Sequence, residues 1–329
     1  MRIIVTGGAG YVGSLLVPEL LKRNHQVHVV DTFWFGNHNL EKHKNLTLIQ
    51  EDIRTFNFKS FLKKSDTVIH LACVSNDPSF DLDPKVSKEI NLNASLKLIE
   101  ASNEAKIKRF IFASSSSVYG LKTEKNVTEN LTCEPITLYA VYKAEVEKIL
   151  CSDENTVDTV ILRPATICGA AKRVRLDVIL NLLVAQAFFE KKLIVFGGDQ
   201  YRPQLNIRDM VNVYIKFTEF PEVLGKKIYN VSSNNYMVKE LAQMVSKEFQ
   251  DEVDIEFKPI VDERSYRVDS SMLKKEMAVF QNYDIHEAIQ SLISMFKEKK
   301  FQDWKSDQYH NVRMMKRILE NEQRKLADL

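Results

Sequence analysis

Ile3-Ile4-Val5-Thr6-Gly7-Gly8-Ala9-Gly10-Tyr11-Val12-Gly13 is the stretch on which the fold turns. Three apolar residues run straight into a glycine-rich loop, and apolar residues at helical spacing follow over 12–22. Strand, glycine turn and helix in that order make a cradle for phosphate. Gly7 and Gly10 permit the tight turn and let backbone N–H groups approach an anion, in the loop that Tyr11 and Val12 complete. Gly13 lets helix and strand pack closely, and the helix N-terminus favours negative charge. A glycine spacing alone occurs by chance, so its context carries the weight.

That context holds. The next apolar run, 27–30, leads into Asp31, near the ~20-residue offset at which an acid meets the ribose of a bound dinucleotide. A carboxylate there accepts from both ribose hydroxyls and repels a 2′-phosphate. Thr32-Phe33-Trp34 brings no basic residue to hold one, so NAD is expected rather than NADP. Asp52-Ile53, after a third run, offers an acid to the adenine amino group.

Working outward, apolar runs at 3–5, 27–30, 46–49, 68–72, 110–113 and 160–162 alternate with helical patterns such as 12–22, 86–105 and 139–150. Most runs are solidly apolar, as strands buried on both faces are. This predicts an α/β fold, a doubly wound parallel Rossmann sheet. Beyond about Pro164 the rhythm loosens: a helix over 176–189, a strand over 193–196, a Gly197-Gly198-Asp199 turn, a helix near 238–249, a strand near 253–257 and a helix near 285–297. The expected division is an NAD-binding domain over 1–165, a smaller C-terminal α+β substrate-binding part over 166–300, and a helical tail over 301–329. The tail's apolar residues, Val312, Met315, Ile318, Leu319 and Leu326, suit an amphipathic helix docked on the body or on a second subunit, or else left largely in solvent.

Composition narrows the function. In 329 residues, 46 basic side chains balance 44 acidic ones, which gives a nucleic-acid reader no basic field. Four scattered cysteines form no Cys-x-x-Cys pair, so no metal site is expected and reduced thiols suit a cytoplasmic protein. No run approaches the roughly 18–20 apolar residues of a membrane span, and the opening apolar stretch is too short for a signal peptide.

Chemistry enters with Tyr139-Ala140-Val141-Tyr142-Lys143, which sets Tyr139 and Lys143 on one face of a predicted helix. Upstream, the run at 110–113 ends in Ser114-Ser115-Ser116-Ser117-Val118-Tyr119-Gly120, at a strand end where open sheets hold ligands. A hydroxyl from one and a Tyr/Lys pair from the other converge beside a nicotinamide.

These residues, in this order, resemble the extended short-chain dehydrogenase/reductase family, the NAD-dependent nucleotide-sugar epimerases and dehydratases. The matching elements are Thr6 to Gly13, Asp31, Asp52-Ile53, His70-Leu71-Ala72, Asn91, Ser115, Tyr139/Lys143, Leu162-Arg163-Pro164, and Arg202 with Asn206-Ile207-Arg208-Asp209. The resemblance covers about residues 1–270. It implies that Tyr139 is the general base and that Lys143 binds the nicotinamide ribose and lowers the Tyr pKa. Ser115, with Ser116 as the alternative, then holds the reacting oxygen. It places Leu71, Ala72 and Asn91 around the cofactor and leaves His70 structural.

Relatives that eliminate water carry Asp-Glu after the catalytic hydroxyl, and decarboxylases carry Glu at the place of Ser117. Serines stand at 116 and 117 here. What remains is oxidation, reduction or epimerisation at C4 of a nucleotide-linked sugar through a 4-keto intermediate. The alternatives are a one-way reductase or dehydrogenase of a 4-keto nucleotide sugar and a non-catalytic NAD(H)-sensing protein. Thr166 replaces an Asn common among relatives, and Arg173-Val174-Arg175-Leu176-Asp177 is similar to a subgroup acting on sugars of bacterial polysaccharides. Arg173, Arg175, Arg202 and Arg264 are candidates to clamp the substrate diphosphate, while Ser75, Thr166 and Asn181 are candidates to reach sugar or nucleotide. A homodimer through the helices near 86–105 and 139–150 is implied by the resemblance.

Overall fold

The computed structural model describes residues 1–37, 39–259, 265–278, 283–298, 301 and 303–327. Six parallel strands come from the first half: β1 (Arg2–Thr6), β2 (Gln26–Asp31), β3 (Leu46–Gln50), β4 (Thr67–His70), β5 (Arg109–Ala113) and β6 (Thr159–Pro164). Helices α1 (Gly13–Lys22), α2 (Ala94–Ala105) and α3 (Leu138–Cys151) lie between them. Ile3 and Val5 belong to the core under α1, whereas Ile4 faces the core under α2 and α3. Both faces of β1 are therefore buried, which is why its run is unbroken. β3 departs from that expectation. It is the sheet edge, and Leu48 is 37% exposed.

The chain then leaves the sheet through β7 (Thr166–Cys168), α4 (Ile179–Glu190), β8 (Lys192–Phe196) and β9 (Tyr201–Asn206). It comes back with α5 (Ile207–Glu219) and β10 (Lys226–Val231). β10 pairs in parallel with β6, so the sheet has seven strands in the order β10-β6-β5-β4-β1-β2-β3. A clean boundary at residue 165 does not survive this return: α5 and β10 lie in the stretch expected for substrate binding, yet complete the cofactor-binding sheet. Arg109 ties the return down from inside. Its buried guanidinium pairs with Asp158 and donates to the carbonyls of Phe217, Phe220 and Glu222.

The smaller α+β part is as expected in kind. It comprises a β11-β9-β7 sheet, with β11 at Asn234–Met237, and a β12-β8 pair, with β12 at Asp254–Lys258. α4, α6 (Val238–Glu248) and α7 (Ile285–Lys297) surround its own core. α4 starts three residues later than predicted, because Arg175 and Asp177 belong to a loop facing the sheet. The tail forms α8 (Asn311–Ala327), which docks on the body. Met315 and Ile318 pack into the core beneath α2 and α3.

Candidate active site

Strand order reverses between β1 and β4, and such a reversal opens a crevice beyond the strand ends. A pocket of about 500 Å³ lies there, between the loops after β1, β2, β4, β5 and β6 and the 173–179 loop.

The glycine loop forms one end, with Gly10, Tyr11 and Val12 in its wall. Gly7 has φ +71°, and a Cβ on it would stand 2.6 Å from Ala72 N, so the loops after β1 and β4 touch backbone to backbone. At Gly13 a Cβ would lie 2.3 Å from the Gly8 oxygen. Its missing side chain thus makes room for the loop itself, where contact with the strand was expected. α1 begins without a capping side chain, and while the N–H groups of Ser14 and Leu15 bond to the loop's carbonyls, those of Tyr11, Val12 and Gly13 are left for a bound anion. Asp31 ties the rim together, accepting from Ala9 N at 2.9 Å and Phe33 N at 2.8 Å. Burial raises its pKa and these two donors oppose the rise. Asp52, Ile53, Leu71 and Ala72 line the same end, where Asp52 holds Arg54 at 2.6 Å. An uncapped helix start, a carboxylate at ribose distance along the chain and apolar walls fit NAD.

At the other end, the Thr137 hydroxyl caps α3 through Ala140 N, and Tyr139 and Lys143 follow one turn apart. Tyr139 lies near enough to Ser115 for the serine hydroxyl to favour its ionised form. Lys143 is 3% exposed, and its Nζ donates to Ala113 O at 2.6 Å. Ser115 accepts from Ser117 N at 3.1 Å and from the Ser117 hydroxyl at 2.8 Å. With those acceptor positions filled, its own proton is left for Tyr139 or a substrate oxygen. Ser116 turns instead toward the Tyr266 hydroxyl at 3.3 Å, so Ser115 is the serine beside Tyr139. Burial drives the Tyr139 phenol well above its ordinary pKa. Cys73 and Asp77 add to that, while Arg175 and the Ser115 hydroxyl oppose it.

A buried ion pair braces this group. Glu147, one turn beyond Lys143, takes Arg163 at 2.5 Å and a hydrogen bond from Ser114. Arg163 also donates to the Tyr119 hydroxyl at 2.8 Å. The ends of β5 and β6 therefore grip α3. His70 is structural, as expected. Its ring nitrogens meet Thr6 Oγ1 at 2.6 Å and Ser95 Oγ at 2.8 Å, and burial pushes it down to about 3.

Of the expected substrate residues, Ser75, Thr166, Arg175 and Arg202 line the pocket. Arg175 pairs with Asp177 at 3.0 Å and donates to Ser75 at 3.3 Å. Arg173 also lines it, but at the glycine-loop end, over the Phe35 ring at 3.9 Å. Asn181 does not reach substrate: it is wholly buried and spent on the Tyr11 hydroxyl, Arg175 O and Gly169 N. Asn91, expected at the cofactor, holds both backbone polar groups of Val74. It shapes the 71–76 loop from behind the pocket. Arg264 lies outside the described residues.

Phe35, Tyr214, Tyr266 and Asn311 line the pocket without having been foreseen. Phe35 had a signal, its nearness to Asp31; Asn311, at the start of the tail, had none. Among the described residues no group of His, Cys, Asp or Glu is placed to hold a metal, and no helix is long and apolar enough to cross a membrane.

The model of the NAD dependent epimerase/dehydratase family matches residues 3–232. The chain belongs to this family. NAD is its cofactor, and it is an enzyme of the nucleotide-sugar epimerase group. The uncharacterised UDP-glucose epimerase YtcB of Bacillus subtilis is 34% identical over 244 residues, 69% of this chain and 76% of that protein. UDP-glucuronic acid 4-epimerase from Bacillus cereus, solved with UDP-glucuronic acid and NAD, is 25% identical with a TM-score of 0.83. The likeness spans 91% of this chain and all of that one. UDP-N-acetylglucosamine 4-epimerase from Methanobrevibacter ruminantium, solved with UDP-N-acetylmuramic acid, is 26% identical with a TM-score of 0.84, over 91% of this chain and 98% of that one. The sugars in these names differ at C2, C3 or C6 and are alike at C4.

Proposed function

We propose that this enzyme inverts C4 of a UDP-linked sugar through a 4-keto intermediate. The observation that carries it is Ser115, Tyr139 and Lys143 gathered in the pocket that the glycine loop and Asp31 also line. NAD, when bound, takes hydride from C4 and returns it. Tyr139 removes the proton of the C4 hydroxyl, and Ser115 donates to the same oxygen as it becomes a carbonyl. Lys143 supplies positive charge beside the phenol, against the burial that otherwise keeps it protonated. Arg175 and Arg202 are proposed for the UDP diphosphate, with Ser75 and Thr166 on the sugar side. Serines stand at 116 and 117, where the relatives that remove water or a carboxylate carry acidic residues, which disfavours those reactions. The relatives' names support UDP and position 4.

The test is NMR of the purified protein with UDP-sugars in deuterated water. Two C4 epimers with no deuterium at C4 are expected, because the hydride never meets solvent. Deuterium at C5, or loss of water, would sink the reading. A cytoplasmic homodimer serving polysaccharide synthesis is the accompanying proposal, and light scattering at twice 38.0 kDa checks the dimer.

A further inference from the structure

Arg173 is a buried cation without a direct ion-pair partner among the described residues. It is 7% exposed, its Nε has no hydrogen-bond partner, and among the described residues no carboxylate forms an ion pair with it, although Asp177 and Asp31 act on its charge from farther off. A guanidinium in that state is costly unless something negative arrives. Its position says from where. Its backbone N–H donates to Ser14 Oγ in the first turn of α1 at 3.3 Å, and its charge is felt by Asp31. Phe35, from the loop after β2, lies flat beneath it. It thus faces the glycine loop across the groove, two residues before Arg175 looks toward Tyr139.

One residue from the far end of the chain holds it there. Asn311 Oδ1 accepts from Arg173 Nη2 at 2.5 Å, while Asn311 Nδ2 donates to Ser75 Oγ at 2.7 Å. Its backbone N–H donates to Asp177 at 3.0 Å. Asn311 is buried and is the first residue of α8, whose Met315 anchors that helix on the body. The neutral carboxamide orients the guanidinium without cancelling its charge. A carboxylate in that place would have satisfied Arg173 and left nothing for an anion.

We propose that Arg173 binds the pyrophosphate of NAD from the side opposite the glycine loop, and that Asn311 is the positioning residue that fastens it there, making the C-terminal helix a cofactor latch. This rests on NAD being the cofactor and not on the identity of the sugar. It moves Arg173 from the substrate diphosphate to the cofactor's own.

The test is NAD affinity of the full-length protein, by calorimetry after stripping the cofactor, with a thermal melt to confirm folding. Arg173→Gln is expected to weaken NAD at least tenfold, Arg173→Lys distinctly less, and Asn311→Ala about fivefold. The Arg173→Gln/Asn311→Ala pair should be no weaker than Arg173→Gln alone, because Asn311 acts through Arg173. KM for UDP-glucose at saturating NAD should change less than twofold in Arg173→Gln and Arg173→Lys. Unchanged NAD affinity in Arg173→Gln and Arg173→Lys, additive losses in the pair, or a loss confined to UDP-glucose would overturn the latch. A wild-type protein that binds no NAD would overturn the cofactor assignment as well.

Discussion

Under the proposed function, Tyr139 is where one atom decides the chemistry. Tyr139→Phe should lower kcat by about 10³, within the usual reach of general-base catalysis, while NAD binding measured by calorimetry stays within twofold. Lys143→Met should move the rising limb of the kcat/KM–pH profile to higher pH by about one unit, since a buried phenol then loses a cation 5.9 Å from its ring centre; an unmoved limb would remove Lys143 from that role. His70 gives a stability prediction. Its folded pKa, about 3, lies below the unfolded value near 6.5, so the unfolded chain binds more protons between those limits. Stability is therefore lost as pH falls below 6.5, by about 2 kcal/mol at pH 5. Denaturant melts of His70→Asn should be lower throughout but flatter across that window. Tyr139 and Lys143 were legible in the sequence because helical spacing fixes their common face. Ser115 over Ser116 was not settled until Tyr266 was seen to engage Ser116. Arg173 was legible as a phosphate-type residue, but which end of the pocket it serves depends on a loop path that local pattern does not encode.

At the scale of elements, α3 is held by one buried ion pair. Arg163→Met leaves the Glu147 carboxylate buried with only Ser114 against it and should cost about 3–5 kcal/mol in denaturant unfolding. Arg163→Met/Glu147→Leu should recover more than half of that. Equal losses in the single and double variants would show that packing, not charge, was removed. The elements themselves were legible wherever burial on both faces writes an unbroken apolar run, as in β1 and β5. β3 reads as such a run too, yet sits at the edge, because strand order is not written in any strand. The helix expected over 86–105 is broken by a widened turn at Glu89–Asn93, which turns Asn91 toward Val74. No residue there breaks helical pattern, so the sequence had no means of announcing it.

For the whole molecule, the decisive contact is between Arg109 and the carbonyls of residues 217–222. A fragment of residues 1–165 lacks α5, β10 and those carbonyls, leaving an open β6 edge and the Arg109 guanidinium with Asp158 but without its three carbonyl acceptors. It should show no cooperative thermal unfolding by circular dichroism, whereas the full chain should unfold with a sharp transition. A well-folded fragment would mean that the sheet does not need its seventh strand. β10 escaped the sequence reading because Lys226 and Lys227 open it and Tyr229 and Asn230 interrupt its apolar character.

The placement of β10 also sets a calendar for the newborn chain. A ribosome delivers residues in order, and domains ordinarily settle as they emerge. Here the sheet's outer neighbour is made nearly seventy residues after the strand it pairs with (159 to 226), once β7, α4, β8 and β9 have already been released. Arg109 must wait longer still for its carbonyls, more than a hundred residues behind it in synthesis. The half that grips the cofactor is therefore begun first and finished late.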